Sequence, residues 1–75
     1  MKINGWELIS QDKKSKVFKK GDEEVFYQKF RIGFYAAGVR KIGEKTYTSL
    51  TLPLGQNVKK ENEVFKIIKL YMEKH

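Results

Sequence analysis

The sequence predicts an α+β fold: a small, strongly bent antiparallel β-sheet of about four strands closed by a C-terminal amphipathic helix. Three observations predict it. From Val25 to Ala37 the side chains sort by alternate positions, the signature of a strand. Gly21-Asp22 and Gly43-Glu44 punctuate the chain where hairpins would turn. From Glu61 to His75 the apolar spacing changes from alternation to a helical period.

The elements follow in order. Gly5 to Ser10 reads as a short strand carrying Trp6, the single tryptophan, which fits the edge of a core better than an exposed stacking position. Gln11 to Lys14 is polar and reads as a turn, and Ser15 to Lys20 as a second strand ended by Gly21-Asp22. In the Val25–Ala37 stretch, Phe26, Phe30, Ile32, Phe34 and Ala36 share one parity and are expected to face the core. Tyr27, Lys29, Arg31 and Tyr35 share the other parity and are expected to face outward. Gly33 offers a place to bend so long a strand.

Ile42 to Lys45 reads as a hairpin turn into a strand from Thr46 to Leu54, with Thr48, Leu50, Leu52 and Leu54 on one face. Pro53 has no N–H to give a ladder, so it belongs at a strand end or a sheet edge. Gly55 to Asn57 reads as a loop. Val64, Phe65, Ile67, Ile68, Tyr71 and Met72 then crowd one helical face, with Asn62 as the expected N-cap. The Val and Ile content of residues 62–75 leaves a fifth strand as the other reading.

Composition bounds the function. The chain has 75 residues, enough for one domain with a thin core, which leaves room for a homodimer. It contains no cysteine, and its one histidine, His75, is terminal, so neither a disulfide framework nor a metal site is expected. No apolar stretch approaches the ~20 residues of a membrane span and no signal-peptide core opens the chain, so a cytoplasmic location is expected. Catalysis is not expected either. No Ser, His and carboxylate set exists, and Gly33 to Gly38 has P-loop glycine spacing but continues into Val39-Arg40 instead of Lys-Ser/Thr. No cofactor is implied.

The formal net charge is +7, and residues 13–45 carry ten basic residues against four acids. A positive excess inside the folded part attracts polyanions. On the outward parity, Tyr27 and Tyr35 alternate with Lys29 and Arg31, and Tyr47 with Arg40, Lys41 and Lys45 adjoins them. Rings that stack on splayed bases beside cations that track phosphates suit single-stranded nucleic acid. These eight residues are the expected binding surface. The lysine run Lys13, Lys14, Lys16, Lys19 and Lys20 either extends the phosphate track or forms a solvated loop.

The stretch Phe34 to Gly55, F-Y-A-A-G-V-R-K-I-G-E-K-T-Y-T-S-L-T-L-P-L-G, resembles the central hairpin of small single-stranded-DNA-binding proteins of phages and mobile elements, which fold as OB-like barrels. Four strands followed by a helix also looks like the PC4-type coactivators, which dimerise and hold single strands across curved sheets. The resemblance implies sequence-tolerant binding of single-stranded nucleic acid by residues 1–75 as one β-rich domain, with single-stranded DNA ahead of RNA. The alternative is a protein-interaction module of a phage or mobile element that docks on an acidic host protein through the same face.

Overall fold

The computed structural model describes residues 2–31, 33–50 and 58–75. One antiparallel sheet runs as a meander in chain order: β1 (Lys2–Ile3), β2 (Trp6–Gln11), β3 (Ser15–Lys20), β4 (Glu23–Lys29), β5 (Tyr35–Lys41) and β6 (Thr48–Ser49). A helix, α1 (Glu61–Lys74), packs across one side. The α+β class and the C-terminal helix therefore stand, and the fifth-strand reading of residues 62–75 does not. No helix among the described residues is long and apolar enough to cross a membrane.

Among the described residues the sheet has six strands, not about four. One extra strand comes from Asn4-Gly5, whose φ values of 48° and 86° make a tight hairpin that pairs Ile3 with Trp6. Asparagine and glycine are the residues that tolerate two consecutive positive φ angles. A second comes from the Val25–Ala37 stretch, which is two strands and not one bent strand. The Phe30 N–H donates to the Phe34 carbonyl at 2.8 Å and the Gly33 N–H to the Phe30 carbonyl at 3.0 Å. With Gly33 at φ 91° the chain reverses fully, so that Lys29 pairs with Tyr35 and Tyr27 with Ala37. Within the described part of the expected Thr46–Leu54 strand, Thr48–Ser49 forms the sixth strand. The later part of that expected strand, including Leu52, Pro53 and Leu54, lies outside the described residues, as do Ile32 and the expected loop at 55–57.

Register decides which face is buried. Leu8 pairs with Phe18, Phe18 with Val25 and Val25 with Val39, an apolar row across four strands. Trp6, Phe18, Val25, Tyr27 and Ala37 are buried beneath Val64, Ile68 and Met72 of α1, which recur every fourth residue along one helix face. Removing a Phe or Val side chain from water contributes about 1.5–3 kcal/mol, so this row is the main source of stability. The expected core parity of β4 is therefore inverted: Val25 and Tyr27 face the helix, Phe26 lies on the uncovered side, and Phe30 is 43% exposed in the turn.

Both ends of α1 are tied to the sheet. At its start the Tyr27 hydroxyl donates to Glu61 Oε2 at 2.5 Å. At its end Asn4 Nδ2 donates to the Met72 carbonyl at 2.9 Å and Lys20 Nζ to the His75 carbonyl at 2.7 Å. The N-cap is Lys60, with no side-chain cap, and Asn62 sits inside the first turn instead.

Candidate functional site

The eight residues expected to form one basic, tyrosine-bearing face are divided by the fold. Tyr27 is buried, so its ring cannot stack on a base. Burial first, then the hydrogen bond to Glu61, raise its hydroxyl pKa well above the ordinary tyrosine range. Tyr35 packs edge-on against Tyr27 at 5.9 Å and lies half-buried on the same covered side. Lys29 sits at the rim of that side, with Nζ 5.8 Å from the Tyr35 ring centre.

Arg40 and Tyr47 lie on the opposite, uncovered face. Arg40 reaches Glu24 Oε1 at 3.3 Å and its guanidinium stands 5.6 Å from the Phe26 ring centre. Tyr47, 46% exposed, packs edge-on against Phe26 at 5.1 Å. Lys41 and Lys45 are exposed at one end of the sheet, and Arg31 is exposed at the other. The physical reason is the reversal after Lys29. It folds Tyr35 back beside Lys29 under the helix, and the apolar row through Phe18 and Val25 then claims the tyrosine parity for the core.

Charge gathers elsewhere, at one end of the meander. The β2–β3 turn brings Lys13 and Lys14 there, and the β4–β5 turn brings Lys29 and Arg31. The Lys29 N–H donates to the Lys14 carbonyl at 2.8 Å, which fixes these two turns side by side. The chain entering α1 adds Lys59 and Lys60, held at the same end because the Tyr35 N–H donates to the Val58 carbonyl at 2.7 Å. Lys16 lies close by, its Nζ 4.8 Å from the Phe65 ring centre. Seven cations thus stand against three acids, Asp12, Glu61 and Glu63.

Two phenylalanines sit among these cations. Phe30 is the exposed one, and Phe34 has Lys59 Nζ 5.8 Å from its ring centre. The turn that carries Lys13 and Lys14 is pinned by Asp12. Its carboxylate accepts from the Lys14 N–H at 2.7 Å, and its own N–H donates to the Ser15 carbonyl at 3.0 Å. The Lys14 N–H is the main reason the Asp12 carboxyl is held below its ordinary range.

The other end of the meander is nearly neutral. Lys2, Lys20, Lys41, Lys45 and Lys74 meet Asp22, Glu23, Glu44 and Glu73 there. Of the eight residues expected to bind, Lys29, Arg31 and Tyr35 fall at the basic end, together with Lys13, Lys14 and Lys16 of the lysine run. Lys59 and Lys60 were missed, since only the topology carries them to the other turns. Among the described residues no three His, Asp or Glu side chains gather as a metal site would require. The surface offers charge and aromatic area. Comparison with protein-family models, with curated proteins and with solved structures returned no match.

Proposed function

We propose that the basic end of the sheet binds single-stranded nucleic acid with little sequence preference, DNA being the first substrate to try and RNA the second. The observation that supports this best is the convergence of three distant segments, around Lys13-Lys14, Lys29-Arg31 and Lys59-Lys60, into one cationic end. Cations on two pinned turns and at a helix entry offer phosphates several partners at one end of the sheet. Phe30 and Phe34 beside them supply rings for unstacked bases, a contact worth roughly 1–3 kcal/mol per base and indifferent to which base it is. A duplex reader presents a cationic helix face to a groove, whereas the exposed face of α1 mixes Lys66 and Lys69 with Glu63, Leu70 and Glu73. Kinship with OB-like or PC4-like single-strand binders is part of this proposal. The mode proposed differs from a tyrosine-bearing sheet face, because Tyr27 is covered.

The test is anisotropy of a labelled, mixed-sequence oligonucleotide. Single-strand binding that engages about four phosphates has a logarithmic salt slope near −3, so raising salt from about 50 to 200 mM should weaken it roughly fifty-fold. Reversing charge at Lys14 and Arg31 together should weaken binding at least tenfold at low salt. The same change at Lys41 and Lys45 should alter it less than about threefold, the residual being long-range attraction. Equal losses from the two pairs, or no binding at micromolar concentrations at low salt, would refute the proposal.

A further inference from the structure

The sheet face away from α1 carries an alternating charge row, of which Arg40 and Glu24 pair within the chain at 3.3 Å, and the order of signs across the row is its own complement on reversal. Glu7, Lys19, Glu24 and Arg40 are successive Cα partners across β2, β3, β4 and β5. Their neighbours Trp6, Phe18 and Val25 are buried on the helix side, so these four point to the open side, where the row reads minus, plus, minus, plus. The next open-side row reads Ser10, Val17, Phe26 and Gly38, apolar at its two central strands, with Tyr47 lying over Gly38.

We infer that this open face packs against the open face of a second copy of the chain, about a two-fold axis that runs parallel to the strands between β3 and β4. Such a rotation reverses the order of strands and preserves position along them. The charged row then meets its own reverse, Glu7 facing the other copy's Arg40 and Lys19 facing its Glu24. The apolar row meets itself as well, with Val17 against Phe26. A row that read plus, plus, minus, minus would pair equally well, but one with unequal signs, or with the apolar row offset to one edge, would not. Aligned sheets pack with strand directions within about 30° of each other, which this axis satisfies.

The face is small. Four strands about 4.8 Å apart, over roughly six residues of about 3.3 Å, present on the order of 300–400 Å², about half of what each partner contributes to a standard interface. The dimer is therefore weak and concentration-dependent. It leaves both basic ends pointing the same way, side by side. The inference rests on the row pattern and not on the nucleic-acid proposal, which survives if the chain is monomeric.

Sedimentation equilibrium between about 10 μM and 1 mM at low salt tests it, the range in which an interface of this size dissociates. The native chain should pass from monomer to dimer. Glu7→Lys and Arg40→Glu should each weaken dimerisation at least tenfold, because each places like charges together at both junctions. An equimolar mixture of the two variants should restore the native dissociation constant, since the introduced lysine of one copy then faces the introduced glutamate of the other. Where Arg40→Glu fails to fold by circular dichroism, Phe26→Ala reads the apolar row of the same interface and should also weaken dimerisation tenfold. A native chain that stays monomeric to 1 mM, or a mixture no better than its components, overturns the inference. So does an oligonucleotide that perturbs Phe26 and Tyr47 resonances in a monomer.

Discussion

Phe26 and Tyr27 are neighbours in β4 and meet opposite environments. Tyr27 lies in the core, its hydroxyl tied to Glu61, while Phe26 stands on the open side beneath Arg40 and against Tyr47. Judged residue by residue, phenylalanine is the more apolar of the two and should be the buried one. What decides is the row. Phe26 shares its row with Val17 and Gly38, which offer little to bury, whereas the neighbouring row runs Leu8, Phe18, Val25, Val39. A helix laid on that second row covers four apolar side chains at once. Alternation within a strand identifies two faces, and only cross-strand register says which one the core will take.

The largest way to break this contrast is truncation on each side of it. Phe18→Ala empties a fully buried site and should cost about 3–5 kcal/mol. A chain of this length has roughly 4–11 kcal/mol to lose, so the variant should be largely unfolded or melt far below the native chain. Phe26→Ala, on the open side, should cost only about 1 kcal/mol, chiefly its edge-on contact with Tyr47. Urea titrations followed by circular dichroism measure both. Equal costs would mean that the two faces are alike in packing, and the assignment of the core to one row would fall.

A smaller effect sharpens the open side. A β-carbon added at Gly38 would stand 2.3 Å from Cδ2 of Tyr47 and 3.2 Å from the Thr48 carbonyl oxygen. Gly38→Ala should therefore cost about 1–2 kcal/mol, because the Tyr47 ring must lift away from Phe26. In a Tyr47→Ala background the ring is gone and only the contact with the Thr48 carbonyl oxygen remains, so most of that cost should disappear, helped by lower unfolded-chain entropy. A Gly38→Ala cost that persists unchanged in that background would show that Tyr47 does not rest on the glycine.

How far the sequence discloses this molecule depends on the range of the interaction involved. The helix was legible because Val64, Ile68 and Met72 repeat within one element. The Gly21-Asp22 and Ile42–Lys45 turns were legible because turn chemistry is local. Asn4-Gly5 was equally local and equally readable, since Asn-Gly is among the strongest hairpin signals; the strand before it is only two residues long and gives no alternation to notice. The reversal between Phe30 and Phe34 was hidden because parity continues through it: Tyr27 and Tyr35 lie on one side both as an extended strand and as a hairpin. The basic end is the least legible feature. Lys14 and Lys29 are far apart in sequence, and Lys59 farther still, so their meeting is a product of the meander order alone.

The finest test of the contrast is the proton on Tyr27. Burial is the main cause that raises its pKa, with Glu61 adding to it, while the same residue unfolded ionises near pH 10. Above that pH the unfolded chain binds fewer protons than the folded one, so stability is complete below pH 10 and falls as pH rises further. Tyr71, raised by burial and by Glu23, works in the same direction. Tyr27→Phe removes one of these two contributions. At neutral pH it should cost about 1 kcal/mol, the value of a hydrogen bond to a carboxylate that water can partly replace. Between about pH 10 and 11 its stability should decline less steeply than that of the native chain. An unchanged alkaline slope in Tyr27→Phe would place that hydroxyl in water, and with it would go the claim that the tyrosine side of β4 is the covered one.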